Sequence, residues 1–117
     1  MAMASIRLAG LQIDLARSYL QRLVGLLGRA GLAPDAALLL VPCNNVHTAF
    51  MRFAIDVVFL DARGVVLAVK TDVRPFRIAL QRGAAACLEL SSGGAQRHAI
   101  AVGAVLTPIA AVLGGAA

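Results

Sequence analysis

The sequence predicts an α+β domain that is mainly antiparallel β, compact and barrel-like or sandwich-like, with one main helix near the N-terminus. Three observations lead there. Short apolar or β-branched runs recur along the chain, separated by Gly, Pro and Asp. A single segment, ARSYLQRLVGLLGRAGL, carries apolar residues at helical spacing. The 117 residues suffice for one hydrophobic core and leave no room for a second.

Each element has its own signal. Ser5 to Ala9 alternates as a short strand, with Ile6 and Leu8 on one side. Ser18 followed by Gln21 forms a capping-box pattern, and Leu20, Leu23, Val24 and Leu27 continue it as a helix that Gly28 or Gly31 ends. Ala37 to Pro42 reads as a continuous apolar strand closed by its proline. DVVFLDARGVVLAVKTDV predicts a hairpin, with Gly64 free to take the left-handed conformation of the turn. Arg74-Pro75-Phe76-Arg77 breaks the pattern as a loop, and Ala85 to Leu90 is another strand. SSGGAQRHA reads as a turn with one helical turn, and AVGAVLTPI as a last strand. Residues 1–107 therefore form the expected domain, and residues 108–117 a tail of small side chains. Aromatic residues are scarce, so Phe50, Phe53, Phe59 and Phe76 are expected to anchor the packing.

Composition excludes several classes. The net charge of +5 comes from scattered arginines, with Lys70 the only lysine. No aromatic-rich strand accompanies them, so a nucleic-acid partner is not expected, and polyanion binding stays a further alternative. Ala99 to Ala117 holds no charged side chain, which is near spanning length, yet Gly103, Pro108, Gly114 and Gly115 and the Ala-Val composition argue against a membrane anchor. The two cysteines make no disulfide scaffold, and the first residues lack a secretory pattern, so a cytoplasmic protein with reduced thiols is expected.

Chemistry concentrates in CNNVHTAFMRFAIDVVF. Cys43 and His47 could act as nucleophile and base, which defines the enzymatic alternative. The competing reading makes Cys43 a small buried residue and His47 a donor to a backbone carbonyl. Cys43, His47, Cys87 and His98 have poor spacing for structural zinc, so no metal and no cofactor is expected. Asp56 sits inside an apolar strand and needs a partner. Arg52 is the nearest candidate, with backbone amides or the Thr48 hydroxyl as others. An Arg52–Asp56 pair would organise the strand crossing or wall an anion pocket, and Arg52→Met and Asp56→Asn would each then lower the melting temperature. Glu89 in CLEL poses the same problem and could meet an arginine from the 74–82 segment.

These residues resemble the bacterial and archaeal domain of unknown function 192 family, from QRLVGLLGR to about Leu106. The resemblance rests on Gly25-Leu26-Leu27, His47-Thr48, Met51, Ile55-Asp56-Val57-Val58-Phe59, the Asp61 to Gly64 hairpin and Leu88-Glu89-Leu90. It implies a small mainly-β domain with short helices and no established biochemical activity. Many relatives carry an N-terminal signal, and this chain resembles the leaderless kind. Ser91-Ser92-Gly93 replaces the family's Pro-Ala-Gly, and Gly103-Ala104 its Gly-Asp, which removes an acidic residue. The family's preference for an apolar residue at Cys87 fits a core thiol.

The expected function is that of a non-enzymatic binding module for a partner protein or a small anionic ligand. His47, Thr48, Met51, Arg52, Asp56 and Arg74 are the candidate site, with the Arg74–Arg77 loop beside them.

Overall fold

Among the described residues of the computed structural model, which are 5–8, 10–16, 32–48 and 51–114, six strands form the main sheet and two form a separate ribbon. The strands are β1 (Ser5–Leu8), β2 (Leu11–Ala16), β3 (Ala36–Leu40), β4 (Asn45–His47), β5 (Ile55–Leu60), β6 (Val66–Val73), β7 (Ile78–Leu80) and β8 (Ala86–Ser91). Two short helices follow, α1 (Gly94–Arg97) and α2 (Thr107–Gly114). The sheet order is β1-β2-β3-β8-β5-β6, and β4 pairs only with β7. Every pairing is antiparallel except β2 with β3.

The barrel expectation is corrected here. The sheet begins at β1 and ends at β6 with no pairing between them, so it is open. The helix expected around Ser18 to Gly28 lies outside the described residues, and the described helices lie toward the C-terminal end.

Alternation along the central strands explains the layering. Leu39, Val58, Leu60, Leu88 and Leu90 face one side, where Ala95, Ile100, Leu106 and Ile109 from the helical end of the chain cover them. Leu38, Leu40, Ile55, Val57, Phe59 and Cys87 face the other, covered by Cys43, Val46, Met51 and Ala79. The sheet is thus sandwiched between helices and ribbon. This is why β5 is buried along its whole length and reads as an unbroken apolar run around Asp56. Each large side chain fully buried in such a layer contributes roughly 1.5–3 kcal/mol, and Phe59, Leu39, Leu60 and Leu88 all qualify.

The β5–β6 hairpin forms as expected. Gly64 has φ 81, and a Cβ there would lie 2.7 Å from the Ala110 Cβ, so the same glycine makes the turn and lets α2 approach. The expected strand over AVGAVLTPI is corrected. Val105 makes one isolated bridge to Val65, after which α2 begins at Thr107. Pro108 sits in the first helical turn, where a missing N–H costs nothing, and Ile109 is fully buried in the core. Within the segment expected to be a tail, Val112 and Leu113 pack partly buried against that core. No helix among the described residues is long and apolar enough to cross a membrane.

Candidate functional site

The ribbon of two three-residue strands and the loop before β7 leave three large apolar side chains exposed. In the ribbon, Asn45 faces Leu80, Val46 faces Ala79 and His47 faces Ile78. Val46 and Ala79 point into the core, so the pleat turns Asn45, His47, Ile78 and Leu80 outward. Ile78 is 72% exposed and Leu80 65%, and Phe76, two residues before Ile78, is also 72% exposed. Phe76 was expected in the core with the other phenylalanines. Phe59 is there, Phe53 is half-buried, and Phe50 lies outside the described residues. Phe76 is directed out by its backbone, whose φ of 62 puts a bulky side chain in a region that L-residues avoid.

Thr48 holds that conformation. It is 0% exposed, and its hydroxyl donates to the Arg74 carbonyl at 2.6 Å and accepts from the Arg77 amide at 3.0 Å. The Thr48 amide donates to the Arg77 carbonyl at 2.9 Å, and the Phe76 amide donates to the Thr48 carbonyl at 3.0 Å. One buried residue thus bonds four backbone groups of the 74–77 loop, which explains why a threonine occupies an otherwise apolar layer. The expected neighbourhood of His47-Thr48 and the Arg74–Arg77 loop is present in the fold.

Arg74 and Arg77 share the loop of Phe76, and Arg82 lines a cleft with Ile78 and Leu80. Arg52, Arg74, Arg77 and Arg82 are all exposed. Arg74 lies 4.0 Å from Asp72, and Arg77 donates to the Phe76 carbonyl at 3.3 Å. Arg52 and Arg82 form no ion pair among the described residues. Of the six acidic residues, Asp56 and Glu89 are buried in the sheet, so they add nothing to the surface balance. At the Leu80 end the ribbon borders a cleft of about 450 Å³ lined by Asn44, Asn45, Ile78, Leu80, Gln81 and Arg82.

The expected Arg52–Asp56 pair does not form. Asp56 is 0% exposed and points toward the helix side, where one oxygen accepts from the Asp72 amide at 2.9 Å and the other from the Ala95 amide at 3.0 Å. Asp72 sits at a β6 bulge with φ 52, and Ala95 is in the first turn of α1, so both amides lack ladder or helix partners. Backbone amides, the second option read from sequence, are the partners. Arg52 is exposed.

The other expected residues separate by burial. His47, Arg52 and Arg74 reach solvent, whereas Thr48, Met51 and Asp56 are buried. The Cys43 thiol is buried and donates to the Asn45 carbonyl at 3.1 Å, while His47 stands on the outward face of β4. Cys87 is a core residue. A ring nitrogen of His98 lies 3.1 Å from the Pro34 carbonyl. Among the described residues no group of three or more His, Cys, Asp or Glu could hold a metal.

In the β5–β6 turn, the Asp61 carboxylate accepts from the Arg63 and Val65 amides at 2.8 and 3.0 Å. Its pKa is held below the usual carboxylate range, chiefly by the Val65 amide.

Sequence reasoning missed Phe76, Ile78, Leu80, Asn44, Gln81 and Arg82 as a surface. The available signal was the alternation of PFRIAL, in which every second residue is large and apolar.

Two solved structures share the fold. A protein from Sinorhizobium meliloti 1021, described as a candidate transcription regulator, matches with a TM-score of 0.75 and 24% identity, covering 88% of this chain and 92% of that one. A protein of unknown function from Novosphingobium aromaticivorans DSM 12444 matches with a TM-score of 0.73 and 19% identity, covering 86% of this chain and 81% of that one. No curated protein matches. The Ile55–Phe59 strand, the Asp61–Gly64 hairpin and the Leu-Glu-Leu strand are among the parts that carried the resemblance, and the family model described as "Uncharacterized ACR" matches residues 3–108, so the chain belongs to the DUF192 family.

Proposed function

We propose that this protein is a non-enzymatic binding module whose β4–β7 ribbon docks an acidic, apolar segment of a partner protein. The observation that carries this reading is Phe76: a bulky side chain kept at φ 62 and 72% exposed by a buried threonine. A backbone conformation of that kind costs a bulky residue roughly 1–2 kcal/mol, and it gains the fold no core packing. It does fix an aromatic anchor in advance, which lowers the ordering cost of association. Rigid aromatics and arginines are the residue types that dominate interface energetics.

The chemistry of the partner follows from the rest of the surface. Apolar side chains at Phe76, Ile78 and Leu80 call for apolar groups at alternate positions of an extended segment. The arginines around them call for carboxylates between those groups. His47, Arg52 and Arg74 are the polar contacts, with Thr48 holding the 74–77 loop beside them. A small anion alone would engage the arginines but leave the three apolar side chains uncovered, which favours the protein partner.

The test uses a fluorescein-labelled peptide, Glu-Leu-Glu-Phe-Glu-Leu, blocked at both ends, and its lysine counterpart Lys-Leu-Lys-Phe-Lys-Leu. Anisotropy should report binding of the acidic peptide alone, weakening as salt rises. Phe76→Asn, which retains a residue tolerant of positive φ, should reduce that binding at least tenfold without lowering the melting temperature. Equal binding of both peptides, or indifference to Phe76→Asn, would overturn the reading.

A further inference from the structure

The cleft at the Leu80 end of the ribbon has a more specific chemistry than the ribbon itself. Asn45 Nδ2 donates to Asn44 Oδ1 at 2.8 Å, which leaves Asn44 Nδ2 as a donor. Gln81 Nε2 donates to the Arg82 carbonyl at 3.3 Å, which leaves Gln81 Oε1 as an acceptor. Arg82 lines the same cleft and has no ion pair among the described residues. Ile78 and Leu80 supply an apolar wall.

We infer that this cleft captures the C-terminal carboxylate of a peptide whose last side chain is apolar. The inference rests on the ribbon as a docking surface and narrows its occupant. A chain terminus presents two carboxylate oxygens, one final amide N–H and one side chain within a single residue. Arg82 and Asn44 Nδ2 match the oxygens, Gln81 Oε1 matches the amide, and Leu80 with Ile78 matches the side chain. An aspartate or glutamate within a chain that continues presents its oxygens at the end of a flexible side chain, away from a backbone N–H. The carboxamide acceptor would then have no partner. A cleft of about 450 Å³ also accommodates a terminal residue with part of its neighbour. No bond is made or broken in this capture. It sets the direction of the docked segment, with its end at Arg82 and its preceding apolar residue toward Phe76.

The experiment compares three forms of the acidic peptide Glu-Leu-Glu-Phe-Glu-Leu on the intact protein. One has a free C-terminus, one is amidated, and one continues as Asp-Gly-amide, restoring the lost charge on a side chain. The free form should bind at least tenfold more tightly than either of the others. Arg82→Gln should abolish that advantage, so that the free and amidated peptides bind the variant with equal affinity, and because Arg82 is exposed the variant should keep the wild-type melting temperature. Equal affinity of free and amidated peptides would overturn the inference, as would an equal gain from the Asp-Gly-amide form. Binding of the amidated peptide reports the ribbon alone, so the two readings fail separately. If the amidated peptide binds with no gain from the free end, the ribbon stands and the terminus falls. If Phe76→Asn changes neither peptide while the free end still gains tenfold, the ribbon reading fails and the cleft remains.

Discussion

On each side of the sheet a buried polar residue holds an irregular segment, and the two do so differently. On the helix side Asp56 binds the amides of Asp72 and Ala95, tying the β6 bulge to the start of α1. On the ribbon side Thr48 binds the 74–77 loop. Each brace leaves one non-glycine residue at positive φ, Asp72 at 52 and Phe76 at 62. Aspartate tolerates that region, and the Asp72 carboxylate stays at the surface but is tied back to the chain, accepting from the Ser92 hydroxyl at 2.8 Å. Phenylalanine does not tolerate it, and Phe76 turns outward. The same device closes the structure on one side and presents a side chain on the other. A strained residue whose side chain is tied back to the chain is explained by stability, and one whose side chain points away from it needs a different reason.

The largest expected effect tests the helix side. Asp56→Asn turns an amide donor toward one of two buried N–H groups, and about 2–3 kcal/mol of stability should be lost. For a domain of this size that corresponds to a fall in Tm of roughly 10 °C or more. Arg52→Met should instead stay within about 0.5 kcal/mol of wild type, because an exposed arginine with no ion-pair partner contributes little. Urea unfolding of both variants decides it. Equal losses would restore the ion pair that the geometry denies.

Thr48→Val should cost less, about 1–2 kcal/mol, since the bonds from the Thr48 and Phe76 amides survive the loss of the hydroxyl. The more informative reading is local. Hydrogen exchange at the Arg77 amide should accelerate, while the Asp72 amide, held by Asp56, should not change. If both amides lose protection together, the two braces belong to one cooperative unit and the comparison between the faces collapses.

What could be read from the sequence follows the same division. The strands β3, β5 and β8 are buried on both faces, so they are continuous apolar runs and declare themselves. That Asp56 required a partner was legible, because a carboxylate in such a run always does. Its partners were not, because backbone amides exposed by a bulge and a helix start leave no mark in residue identity. The C-terminal segment misled through its Ala-Val composition, which suits a strand or a helix equally, and Pro108, inside the expected last strand, lies in the first turn of α2. The ribbon was hardest. Alternation shows that Phe76, Ile78 and Leu80 share a side, but nothing in a period of two says whether that side meets core or water. The position of His47 beside Thr48 was legible as a place where polar groups gather. That Thr48 would be the buried member and His47 the exposed one depended on the β4 register with β7.

The smallest expected effect concerns a third brace, in the β5–β6 turn, and asks whether charge matters to this device at all. Asp61 caps the amides of Arg63 and Val65 and keeps a half-buried position, with its pKa lowered mainly by the Val65 amide. A carboxyl whose folded pKa lies below its unfolded value contributes stability that is fully present above the unfolded value and lost as pH falls through the folded one. Wild type should therefore lose this contribution only in the acid limb, below the ordinary range for aspartate. Asp61→Asn retains a carbonyl oxygen that can accept both amides, so at neutral pH its Tm should lie within about 2 °C of wild type. Below the aspartate range the variant should lose stability less steeply than wild type. A parallel acid limb in the two proteins would mean that the turn needs an acceptor and not a charge, and Asp61 would then act as Thr48 does, through hydrogen-bond geometry alone.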